Sequence, residues 1–273
     1  MKKTIIYLAT FILVQLMAGG AASVILRLWF PTVSASSPEV IIAIIAFCSV
    51  FTAALFIALR WCPVSRNYIR TRPWATLLWS AMLGIGMVIP LTWLEEQIPE
   101  SWMINLMQDE MQQMLRSTEG YFVICMLAPL MEEVVFRGAI IRALREWLLK
   151  RCSATSAQWW AICVSAVCFA CAHFNPAQIP HALIVGVLLG WLFVKTGSIV
   201  PGLIIHWVNN SMAYVMANLF PTLPADAHLS EYVGGSQTAV LQAVLCSLLI
   251  ALPSLYQLIR LNNKQDSRPS VIA

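Results

Sequence analysis

Apolar and polar positions alternate along this chain on the length scale of a membrane. Apolar runs occupy roughly 5–25, 40–59, 75–93, 121–143, 159–174, 179–194, 199–219 and 239–259. A helix rising 1.5 Å per residue needs about 20 residues to cross about 30 Å of hydrocarbon. The pattern predicts an all-α fold, a polytopic transmembrane helix bundle of about eight spans. The first run follows Lys2 and Lys3 and contains small residues, Ala18 to Ser23, of the kind a signal peptide offers for cleavage. Apolar character continues to Phe30 and many spans follow, so an uncleaved first transmembrane helix is the preferred reading.

Composition sharpens this picture. The 273 residues are 59% hydrophobic and 11% charged, whereas soluble domains are roughly one quarter charged. A soluble globular domain is excluded. The lysines and arginines sit in short connections, where they report orientation in the bilayer and not contact with nucleic acid. Arg60, Arg66, Arg70 and Arg72 crowd one loop; Arg142, Arg145, Lys150 and Arg151 follow the fourth run; Arg260, Lys264 and Arg268 follow the eighth. Glu95, Glu96, Glu100, Asp109, Glu110 and Glu119 fill another connection beside Arg116 alone. The basic segments fall on every second connection, which places both termini in the cytoplasm; a bacterial inner membrane is the expected location. The tail is expected to be disordered.

Smaller signals stay secondary. Met103 to Leu115 reads either as an amphipathic helix at the interface or as a solvated loop. Gly186 and Gly190 form G-x-x-x-G, expected to pack against a neighbouring helix of the same chain. The 8 cysteines lie mostly within the runs and lack disulfide-framework spacing. Cys168 and Cys171 share a helical face that His173 does not, so core packing is preferred to a metal set there.

The candidate chemistry is concentrated in three stretches. A-P-L-M-E-E-V-V-F-R, Ala128 to Arg137, puts Glu132, Glu133 and Arg137 inside an apolar run. Ionisable groups in hydrocarbon cost roughly 2.5–3.5 kcal/mol each and need partners in a bundle interior or a wet cavity. Glu133 and Arg137 are i,i+4 with the acid first, the favourable order for a pair. Glu132 lies about 100° away on an α-helix. That spacing predicts a structural Glu133–Arg137 pair and a Glu132 free to act as a base. Pro129 should leave the carbonyl of Cys125 without its donor and kink the helix nearby. F-A-C-A-H brings His173, and H-W-V-N-N brings His206 and Asn210, again i,i+4, with Asn209 beside them. Each of these alone reads as an interhelical hydrogen bond. Together, one carboxylate, two imidazoles and one amide suffice to activate a water and stabilise an oxyanion, and they are also similar to a His₂–Glu metal set. His181 and His228, at a span edge and in a polar loop, read as bystanders.

These stretches resemble the motifs of the CPBP intramembrane proteases, which group CAAX prenyl endopeptidases with bacteriocin-processing and immunity-related proteins. Glu132 to Arg137 resembles E-E-x-x-x-R, with the F-R-G continuation to Gly138. Phe169 to His173 resembles F-x-x-x-H, and His206 to Asn210 resembles H-x-x-x-N. The resemblance spans roughly 121–219, a CPBP-like catalytic core between N-terminal spans with an interfacial loop (1–120) and a last span with cytoplasmic tail (220–273). It implies an intramembrane endopeptidase acting on a membrane-associated or CAAX-like peptide or protein in the lipid bilayer. Carried over, Glu132 and His173 would activate the water, and His206 and Asn210 would hold the oxyanion. Alternatively, Glu132, His173 and His206 would bind a metal, with zinc the candidate ion. Depth counting leaves His173 and His206 on the order of 10 Å apart along the membrane normal, a gap that helix tilt or an unwound Phe174–Pro176 segment would have to close. The competing readings are a transporter, because intramembrane Glu, Arg and His also mark ion paths, and a non-catalytic immunity or assembly partner of the same fold.

Overall fold

The computed structural model describes residues 1–63, 67–99, 108–173, 176–223 and 227–266. Arg66, Glu100, the 103–107 part of the amphipathic stretch, Phe174, Pro224 and Arg268 lie outside the described residues. Eight long helical stretches make up the bundle: α1 (Lys2–Trp29), α2 (Pro38–Ala58), α3 (Trp74–Glu95), α4 (118–148), α5 (Ala154–Cys171), α6 (Ile179–Thr196), α7 (Val200–Leu219) and α8 (Gln237–Asp266). No strand occurs among the described residues. α1, α2, α3, α5, α6 and α8 are long and apolar enough to cross a membrane. The other two, α4 and α7, are the helices that carry Glu132, Glu133, Arg137, His206 and Asn210. The chain is an all-α, polytopic integral membrane protein.

Local sequence sets the helix ends. Pro38 and Pro201 stand in the first turns of α2 and α7, where a missing N–H costs nothing. The hydroxyls of Ser117 and Ser153 accept from the N–H groups of Gly120 and Ser156 and cap α4 and α5. Gly197 stops α6 in the left-handed region at φ 66°, with its N–H on the Phe193 carbonyl, and K-T-G-S turns the chain into α7.

Small residues let the helices approach. A Cβ on Gly86 of α3 would meet the Ala251 backbone of α8 at 2.6 Å, and one on Gly84 would meet the Ile205 carbonyl of α7 at 3.1 Å. The G-x-x-x-G pair of α6 faces α5 in the same way: a Cβ on Gly186 would sit 3.1 Å from Ala166, and one on Gly190 would sit 3.1 Å from Ile162. Gly138 of α4 lies so close to the Cys62 thiol that any Cβ there would collide with it. The bulky apolar side chains of α1 and α8, among them Leu16, Met17, Leu28, Leu245 and Leu249, point outward. In hydrocarbon that orientation carries no hydrophobic cost. α1 buries only Thr4, Tyr7 and Phe11 and so stands at the edge.

The charged connections sort to two ends of the bundle. Lys3, Arg60 and Arg142 line one common cavity, so the start of α1, the end of α2 and the inner part of α4 share an end. At the other end, Gln112 donates to the Leu223 carbonyl, Arg116 to that of Pro221, and the N–H of Leu229 to Glu96. The acidic connection and the 221–235 loop therefore meet, and part of that connection, Gln108–Leu115, is helical with Met114 fully buried. Single cysteines placed at Asn67 and at Gln112, in a background lacking the native eight, should label from opposite sides with an impermeant thiol reagent. Labelling from one side would mean that α3 does not cross.

Candidate active site

Two π-helical stretches shape α4. The first, Tyr121–Leu127, hands over to α turns at Ala128–Glu132; the second runs Glu133–Ile141. Such stretches recur at functional sites. The N–H of Ala128 bonds the Val123 carbonyl five residues back. In that register Pro129, which has no N–H, stands opposite the carbonyl of Ile124. The carbonyl of Ile124 is thereby left without a backbone donor. Asn210 fills the vacancy: its Nδ2 donates to the Ile124 carbonyl at 3.0 Å.

α4 and α7 run antiparallel along a polar seam. Tyr121 meets Ser211 at 3.3 Å, Ile124 meets Asn210, and Glu132 and Glu133 meet His206. The indole N–H of Trp207 donates to the Tyr121 hydroxyl at 3.1 Å. His206 is buried between the two carboxylates. Its Nε2 lies 3.5 Å from Glu132 Oε2 and its Nδ1 lies 3.5 Å from Glu133 Oε1.

The adjacent glutamates stand in different surroundings. Glu133 is sealed, at 0% exposure, with Oε1 3.0 Å from Arg137 Nη1. The contact is ionic; neither Glu133 oxygen makes an aligned hydrogen bond. Arg137 is equally buried. Its guanidinium lies 4.3 Å over the Phe169 ring and donates from Nη2 to the Gly186 carbonyl at 3.4 Å. Gly202 of α7 leaves room for the Glu133 carboxylate, since a Cβ there would stand 2.9 Å from Oε2. Glu132 keeps 19% of its side chain exposed. Of the two acids it is the more accessible.

Phe169 gathers the remaining groups. Its ring meets His173 edge-on at 4.9 Å, His206 at 5.7 Å and Phe136 at 5.3 Å between centroids. The two histidines thus both contact one ring, that of Phe169. His173 lies in the turn after α5, and its Nδ1 is 2.9 Å from the Phe169 carbonyl. A carbonyl only accepts, so Nδ1 carries the proton and Nε2 is left as an acceptor. Among the described residues, no three His, Cys, Asp or Glu side chains converge as metal ligands. Glu132 and His206 face one another without a third donor, and Cys168, Cys171 and His173 form no set either.

One pair of residues lay outside the sequence expectations. His181 of α6 has partners: its Nδ1 is 3.4 Å from Glu95 Oε1 and its Nε2 is 3.2 Å from Asn209 Nδ2. Asn209 thus faces this chain while Asn210 faces Ile124. The available signal was positional, for Glu95 and His181 stand at span ends that charge patterning puts on the same side. His228 similarly lies 3.9 Å from Glu96.

A helical membrane bundle with a carboxylate–histidine site in its interior is the class that fold and geometry define. Residues 116–212 match the model of the Rce1-like family, described as type II CAAX prenyl endopeptidase Rce1-like. The matched segment, about a third of the chain, holds all three motifs and is similar to the grouping they resemble. No curated protein and no solved structure matches the chain.

Glu133→Gln should lower the amount of folded protein, because it strands Arg137 in the bundle; breaking one partner of a buried pair costs roughly 3–5 kcal/mol. Gly202→Ala should act in the same direction by about 1–3 kcal/mol through overpacking against the carboxylate. Thermal unfolding in detergent measures both, and wild-type stability of either variant would contradict the sealed-pair geometry.

Proposed function

We propose that this protein hydrolyses a peptide bond of a membrane-associated or CAAX-like peptide, with Glu132 as the general base on the attacking water. The observation that carries this reading is the inequality of the two glutamates: Glu133 is buried against Arg137, while Glu132 is partly exposed with His206 Nε2 3.5 Å away. A base must reach the proton it removes, and distances of this size shorten when substrate closes the site.

The other groups follow from their hydrogen-bonding faces. His173, with Nδ1–H held by the Phe169 carbonyl, offers Nε2 as the second acceptor for the water. His206 has carboxylates at both ring nitrogens, and a neutral imidazole donates from only one of them. With Nδ1–H turned to Glu133, Nε2 can take up the proton that Glu132 removes and return it as the bond breaks. Glu133 then orients His206 as the buried acid orients the histidine of a serine-protease triad. Asn210 spends one amide hydrogen on Ile124 and has a second for the oxyanion. Charge development met by such fixed donors in a water-poor bundle is the main source of rate enhancement. The scheme is written without zinc; among the described residues no three side chains converge as ligands. Nothing in the chemistry of the site requires the substrate to be prenylated.

Glu132→Gln should abolish cleavage of a membrane-peptide panel in detergent, followed by mass spectrometry, while the variant accumulates and unfolds like wild type. Activity retained in Glu132→Gln would remove it as the base. A transporter or a non-catalytic partner of the same fold predicts no cleavage by the wild type at all. Elemental analysis of an active preparation is expected to find no stoichiometric zinc; about one zinc per chain, lost in His206→Ala, would replace this scheme with a metal-centred one.

A further inference from the structure

Away from the candidate active site, a cavity of about 90 Å³ opens where the start of α1, the loop after α2 and the end of α4 meet. Lys3, Arg60 and Arg142 line it together with Glu146, giving three cations to one carboxylate and a formal charge of +2. The single acid is weakly committed. Glu146 meets Lys3 at 3.6 Å, and the two side chains are 60% and 69% exposed. An ion pair that open to solvent is worth little. Arg60 and Arg142 have no carboxylate partner among the described residues. The floor is made of Ala139 and Ala143, so no side chain of the protein fills the space.

Two further observations point to a ligand. The first is the backbone of Arg60. The N–H of Trp61 bonds the Phe56 carbonyl and that of Arg60 bonds the Ile57 carbonyl, which is a Schellman stop with Arg60 in the position glycine normally takes. Arg60 accordingly has φ 57° and is one of only two non-glycine residues with positive φ among those described. A side chain other than glycine costs energy there, and the charged side chain it carries lines the cavity. The second is location. Lys3 begins α1, Arg60 follows α2, and Tyr7 and Trp61 lie beside them with ring centroids 4.5 Å apart. The cavity thus lies at the ends of spans, where basic pockets between helices receive phosphate headgroups.

We propose that this cavity binds the phosphate of an anionic phospholipid, with Arg60 and Arg142 as its main contacts. The bound headgroup would join α1 and α2 to the end of the helix that carries Glu132, ten residues along the chain from it.

The test is thermal unfolding of the delipidated full chain in neutral detergent, titrated with phosphatidylglycerol, phosphatidylcholine or inorganic phosphate. Phosphatidylglycerol should raise the unfolding midpoint saturably and phosphatidylcholine should not. Arg142→Gln should raise the half-saturating phosphatidylglycerol concentration about fivefold, and the double variant with Arg60→Gly about thirty-fold, at the usual contribution of a basic residue beside a membrane. Glu146→Gln should lower it. Arg60→Gly separates binding from folding, because glycine relieves the backbone: its lipid-free midpoint should match or exceed wild type while its phosphatidylglycerol shift shrinks. An equal response to phosphatidylcholine, or an Arg60→Gly and Arg142→Gln double variant that titrates like wild type, would overturn the proposal. An equal shift from inorganic phosphate would overturn the lipid assignment in favour of a soluble anion.

Discussion

A guanidinium with no access to water has to be neutralised where it stands, and the architecture around Arg137 follows from that requirement. Four helices contribute. Glu133 of α4 supplies the charge, Phe169 of α5 the ring face, Gly186 of α6 a carbonyl, and Gly202 of α7 the space for the carboxylate. Desolvating such a pair costs several kcal/mol per ion and is offset only by close contacts on all sides. The same arrangement holds His206, because the Glu133 oxygen nearest Arg137 is also the one 3.5 Å from the imidazole. A pair that reads as structural in isolation thereby aims the ring that faces Glu132.

The bilayer explains why the polar groups are gathered in one seam. Inside hydrocarbon each unsatisfied backbone or side-chain group is expensive, so irregular backbone survives only where protein lines it. The π stretch of α4 with Pro129 leaves a carbonyl that Asn210 satisfies, and the seam with α7 continues past Tyr121 and Ser211. The outer surface shows the converse. Leucines that would be a liability in water face outward without cost, and the helices gain their contact through Gly84, Gly86, Gly186 and Gly190.

α4 links two chemistries along its length. Its middle carries the unequal glutamates, and its far end opens with Ala139 and Ala143 onto the basic cavity. Gly138 lies between them, pressed against Cys62, whose thiol burial pushes up to about 11 despite nearby Arg142. That thiol is a packing element, not a nucleophile. The F-R-G continuation of the motif thus has a steric reason in this fold: the loop after α2 comes too close for any side chain.

Much of this molecule was legible in one dimension. Long apolar runs determine helices in a membrane, because the hydrocarbon thickness and the rise per residue leave few alternatives. The order i,i+4 determined that Glu133 and Arg137 would meet, and the same spacing put His206 and Asn210 on one helix face. What spacing within one helix could not determine is what each face meets. Asn210 shares a helix face with His206, yet its amide meets the Ile124 carbonyl of another helix. The contacts of His181 with Glu95 and Asn209 join helices distant in sequence. His173, in the turn after α5, and His206 of α7 share the Phe169 ring as a neighbour. Contacts between helices depend on rotation, tilt and local register, quantities set by the packing of all eight stretches at once, and only the tertiary structure decides them.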